Sequence, residues 1–141
     1  MKSARFAIAA TVLLATVCID AGAAEPALGQ REFRARCAMC HGTEARGDGW
    51  MAANLIQRPP SLRGLKKKNG GTFPREQIAR TIDGRLSVKA HGPTEMPAWG
   101  VVYKTEIETS KGGPRGVREE DEVNISYRVQ ALIDYLSTQQ D

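Results

Sequence analysis

A chain of 141 residues with 41% apolar residues is the size of one globular domain. Its formal charge of +4 comes from basic residues scattered along the chain, apart from Lys66-Lys67-Lys68, so the charge marks no nucleic-acid surface. No repeat or low-complexity tract points to a second domain.

The first 23 residues read as a secretory signal peptide. Lys2 and Arg5 precede an unbroken run of apolar and small residues from Phe6 to Val17, and Ala21-Gly22-Ala23 offers small residues for cleavage. The run is too short for the roughly 20 apolar residues a membrane span needs, and Asp20 and Glu25 close it off. An uncleaved anchor, or a lipid on Cys18, fits less well. The expected organisation is therefore residues 1–23 removed on export to the periplasm and residues 24–141 as one soluble domain. Losing Lys2, Arg5 and Asp20 lowers the formal charge from +4 to +3.

The spacing predicts a first helix over Pro26 to Cys40. Gly29, Phe33 and Cys37 recur every four residues and share one face. The helix ends in Cys37-Ala38-Met39-Cys40-His41, which three chemistries could use. A redox-active disulfide expects a strand-rich βαβ setting, which the flanks lack. A zinc site needs about four ligands, and the adjacent Cys40 and His41 cannot easily face one tetrahedral metal. Covalent haem attachment uses all three residues together. Two thiols two residues apart reach the two vinyl groups of one porphyrin, and the following imidazole points at the iron. Cys37 and Cys40 are thus the expected thioether positions and His41 the expected proximal ligand of one haem c.

Gly42 and Gly47-Asp48-Gly49 break the chain, and residues 42 to 61 read as loop stiffened by Pro59-Pro60. Leu62 to Lys68 suggests a helical turn or two, ended by Asn69-Gly70-Gly71. Pro74 to Asp83 reads as a helix, with Pro74 in its first turn, Ile78 and Ile82 on one face and Gly84 as cap. Residues 85 to 100 show no period, and Ser110 to Gly116 reads as a surface loop. The last helix is the clearest. Glu119-Glu120-Asp121-Glu122 suits a helix start, and Ile125, Val129, Leu132, Ile133 and Leu136 form an apolar stripe flanked by Tyr127, Ala131 and Tyr135. The first helix is its expected partner. No segment alternates like a strand, so the fold class is all-α, wrapped round a flat apolar cofactor.

The iron's opposite face needs a residue from elsewhere. Met96, held by Pro97, and His91 are the candidates, and an open position is the third possibility. A thioether would raise the reduction potential and an open position would admit substrate or gas. Trp99 is expected to pack on the haem or bond a propionate. Arg85 is a weaker propionate candidate, and Trp50 reads as packing.

Gly29 with Phe33, Cys37 to Gly42, Pro60-x-Leu62, the Met96-Pro97-Ala98-Trp99-Gly100 segment and Tyr135 on an apolar C-terminal helix together resemble the class I c-type cytochromes. The resemblance implies first and last helices crossing through Gly29, Phe33 and Tyr135. It also implies that the Pro60 carbonyl accepts the proton of the proximal histidine's Nδ1. The order Ile82-Asp83-Gly84-Arg85, His91-Gly92, Met96 resembles a bacterial subset in which the methionine ligates, which favours Met96. About 25 residues separate Met96 from the last helix, more than in the simplest members.

These readings imply an electron-transfer protein rather than an enzyme. It would carry single electrons between redox partner proteins, either free or as a subunit of a dehydrogenase or oxidase. A haem enzyme or gas sensor with a labile sixth ligand is the alternative. Lys66, Lys67 and Lys68 with Arg63 are a candidate surface for an acidic partner.

Overall fold

The computed structural model describes residues 24–85, 96–114, 116 and 118–141. The expected signal peptide and His91 lie outside them.

The first helix, α1, runs Ala24–Glu32, with Pro26 in the first turn, where its missing N–H has no partner to lose. It does not continue as a regular helix. Phe33–Cys37 form a π-turn, closed by the Ala38 N–H donating to the Phe33 carbonyl five residues back. Helix α2, Ala38–His41, completes the rod, and Gly42 ends it at φ 78°. The predicted helix is therefore present, longer by two residues at its start and one at its end, and locally widened before the cysteines.

Helix α6, Glu119–Thr138, buries Ile125, Val129, Leu132, Ile133 and Leu136, together with Ala131 and Tyr135. Tyr127 points away and is 45% exposed, so it belongs to the surface. Helix α6 crosses α1 where Gly29 stands. A Cβ on Gly29 would lie 2.0 Å from the Ala131 carbonyl oxygen, so only glycine allows this approach. One turn on, Phe33, fully buried, meets Tyr135 with ring centroids 5.3 Å apart. The crossing implied by the resemblance is the crossing observed.

Three further α-helices and one 3-10 turn, Ala52–Asn54, complete the all-helical arrangement of the described residues. Helix α3, Leu65–Lys68, is a single exposed turn. Helix α4, Arg75–Asp83, buries Ile78 and Ile82 and ends at Gly84 in the left-handed region, φ 66°. Pro74 precedes the helix rather than opening it, and its carbonyl accepts from the Ile78 N–H. Helix α5, Trp99–Ser110, is an element the sequence reading did not anticipate. It occupies half of the long Met96-to-α6 connection. Its first turn packs on the end of α4, where a Cβ on Gly84 would sit 2.7 Å from Ala98 Cβ.

Candidate haem-attachment site

The attachment motif sits on the last turn of the α1–α2 rod. That turn's carbonyls would normally lack intrahelical partners. Here the following loop supplies them at alternate residues. Gly47 N–H donates to the His41 carbonyl at 2.8 Å, Gly49 to Cys40 at 3.1 Å and Met51 to Met39 at 2.9 Å. The loop can lie this close only because residue 49 is glycine. A Cβ there would come within 2.3 Å of the Met39 carbonyl oxygen. Three successive motif carbonyls are thus fixed by backbone, which leaves the side chains of Cys37, Cys40 and His41 as the free chemistry. Gly47 and Gly49 entered the sequence reading only as chain breakers; their Gly-x-Gly spacing was the available signal.

Both cysteines are free thiols. Burial pushes the Cys37 thiol up to about 12, so it is neutral at physiological pH. Burial also pulls the His41 imidazole below its ordinary range, opposed by the Pro60 carbonyl. A neutral imidazole is the form that binds metal.

His41 Nδ1 is the one buried side-chain nitrogen or oxygen without a completed hydrogen bond among the described residues. The Pro60 carbonyl lies close enough to the His41 ring to favour its protonated form. The fold brings that carbonyl up through two contacts. Leu62 N–H donates to the Ala45 carbonyl at 2.8 Å, and Gly47 packs flat on the Pro59–Pro60 backbone, where a Cβ would lie 2.3 Å from the Pro59 oxygen. Ala45, buried at φ 56°, anchors this turn.

Met96 is half-buried and packs against the same apolar cluster as Cys37, Ala38, Leu62, Leu65 and Trp99. Trp99 opens α5, with its ring 6.1 Å from that of Tyr103 and the Arg36 guanidinium 5.9 Å above it. Arg85 is engaged elsewhere. It bonds Asp83 at 2.7 Å and spans to Glu122 on α6 at 2.7 Å, a structural tie rather than a free cation. Trp50 is 72% exposed, contrary to the packing role expected from the sequence. Lys66, Lys67 and Lys68 are exposed, but Arg63 is committed to Asp141 at 2.6 Å.

An all-helical domain with crossing terminal helices and a C-x-x-C-H at the end of the first defines a c-type cytochrome domain. The comparison with protein families agrees and is more particular. Residues 24–108 match the family described as cytochrome c oxidase, cbb3-type, subunit III, and the chain belongs to that family. Neither the curated proteins nor the solved structures include a match. Membership makes the chain an electron-transfer haem protein of cytochrome c-like fold, not an enzyme, with covalently bound haem c and redox proteins as partners. The residues present fit that group: two free thiols, a neutral imidazole and an orphaned Nδ1 waiting on a carbonyl.

Proposed function

We propose that this chain is an exported, mono-haem c-type cytochrome that passes single electrons between partner proteins. Cys37 and Cys40 form the thioethers. His41 and Met96 are the axial ligands, the Pro60 carbonyl orients His41, and Trp99 covers the haem on the Met96 side. The haem supplies the ferric–ferrous couple; the protein holds it, sets its potential and controls access to its edge.

The observation that carries this reading is the His41 environment. A buried imidazole whose outer nitrogen faces a backbone carbonyl is the usual arrangement of a metal-bound histidine, since that contact fixes tautomer and ring orientation. Met96 is supported by its place in the same cluster as Cys37. A second strong ligand leaves no position for substrate, so the chemistry is limited to electron transfer. Residues 1–23 act as a cleaved signal that delivers the apo-chain to the periplasm. Membership of a family described as an oxidase subunit favours work inside a complex over a free carrier.

Haem staining of a denaturing gel tests attachment: a band that loses its stain on denaturation ends this reading. The ferric protein should show the weak long-wavelength methionine–iron band, lost in Met96→Ala and kept in His91→Ala. Tight carbon monoxide binding by the ferrous wild type at neutral pH would instead favour the sensor alternative. Mass spectrometry of the periplasmic protein should find it beginning near Ala24.

A further inference from the structure

Helix α5 is held in an unusual way. Only Gly100 and Tyr103 of its twelve residues are buried. Beside the fully buried Tyr103 and the partly buried Trp99 and Ile107, it is held by a closed set of four charges drawn from three helices. Arg36, in the π-turn, bonds Glu32 of α1 at 2.9 Å and Glu106 of α5 at 2.7 Å. Arg128 of α6 bonds the same two carboxylates, each at 3.1 Å. Each arginine therefore bridges both acids, and the set is neutral overall. Tyr103 stands inside it. Its ring lies 3.7 Å below the Arg128 guanidinium and 5.4 Å from that of Arg36, and its hydroxyl donates to Glu32 at 3.2 Å. Arg36 also covers Trp99.

Shielding is graded: Glu32 is 12% exposed, Arg128 16%, Arg36 26% and Glu106, the member on α5, 39%. Charge pairs at this depth are strong only while complete, because removing one member strands its partner. Exposed pairs would matter little. The other end of the contact is the α4 terminus, where Gly84 abuts Ala98 and a Cβ on Gly100 would meet Asp83 Oδ1 at 2.5 Å. Only Pro97 and Ala98 separate Met96 from the first residue of α5. Whatever fixes α5 therefore fixes the backbone that presents Met96.

The geometry points to Glu32, Arg36, Glu106 and Arg128 as positioning residues that clamp α5 to α1 and α6 and so hold Met96 at the iron. This rests on the assignment of Met96 as ligand. The clamp also lies beside the attachment motif, since Arg36 directly precedes Cys37. One neutral network thus ties the segment carrying the thioethers to the segment carrying the opposite ligand.

The test uses the haem-loaded protein with Arg128→Gln, Glu106→Gln, the double variant and Arg128→Lys. In each single glutamine variant the ferrous protein should bind carbon monoxide about tenfold more tightly, a coupling of about 1.4 kcal/mol, and the methionine–iron band should weaken. Thioether attachment should be unchanged. The double variant, which removes opposite charges together, should recover part of the loss, and Arg128→Lys more of it. Glu106 is the more exposed partner, so its variant remains folded if Arg128→Gln does not. Variants that are less resistant to urea but keep the wild-type band and carbon monoxide affinity would reduce the network to plain stability and overturn the proposal. A wild type without the band would remove Met96 as ligand, and the clamp's role with it.

Discussion

Gly29 shows how a single missing side chain sets the geometry of the whole site. Its Cβ would have to occupy the Ala131 carbonyl oxygen's space, at 2.0 Å, and backbone on α6 cannot step aside as a flexible side chain would. Gly29→Ala should force α1 and α6 apart, with a loss of about 2 kcal/mol or more, as overpacking typically costs. Urea titration of the haem-loaded protein measures it, and an unchanged midpoint would mean the helices are not in contact there. At this scale the sequence was most informative where chemistry is local. Cys37, Cys40 and His41 are contiguous, and their spacing alone carries the reading. The Pro60 carbonyl and the N–H groups of Gly47, Gly49 and Met51 are backbone atoms. Any residue has them, so their roles show only when the loop's path is seen.

Among the elements, α6 and α4 were legible because each displays its buried face and its ends in the order of its residues. Helix α5 was not, for a physical reason. Periodicity reports apolar burial, and α5 buries two residues while its Glu106 is held by partners 70 and 22 positions away. The π-turn was hidden likewise, since nothing in Phe33-Arg34-Ala35-Arg36-Cys37 departs from ordinary helix formers. The meeting of α4 and α5 gives a further prediction. Gly84→Ala meets two obstacles, a left-handed backbone that costs about 1–2 kcal/mol for other residues and a contact of 2.7 Å with Ala98 Cβ. It should lower the thermal midpoint and weaken the methionine–iron band, because the strain falls beside the Met96 arm. By contrast, Gly113→Ala, also at positive φ but with nothing within 4 Å of its Cβ, should lower the thermal midpoint by its backbone strain alone and leave the methionine–iron band unchanged.

The molecule as a whole is tied across its length by carboxylates that need their charge. Hydrogen bonds from Arg85, Lys111 and Arg63 hold Asp83, Asp121 and Asp141 respectively below the usual carboxylate range. Asp121 also accepts the Arg118 N–H at the start of α6. Each group has a lower affinity for protons folded than unfolded. The stability it lends is therefore complete above the unfolded value of roughly pH 4, and drains away as pH falls through the folded values. Thermal midpoints should stay level between neutrality and about pH 5 and then drop. Arg85→Gln should shallow that drop, because it removes one of the shifted groups. A midpoint that falls steadily from neutrality would assign the acid sensitivity to other groups.

The π-turn before Cys37 has a consequence for how such a site can change over time. A helix that holds one residue too many cannot be adjusted gradually: the surplus is either present or absent. Each residue of a regular helix turns it by roughly 100°. Were Phe33–Cys37 to close up as an ordinary helix with all five residues kept, Gly29 and Phe33 would stay docked on α6. The two thiols and His41 would then swing through about that angle, away from Leu62 and Met96. Such a chain should keep its helical circular dichroism and emerge from the periplasm colourless. The orientation of the haem within the bundle is thus counted out in whole residues, and the insertion at this turn is the step on which this protein has settled.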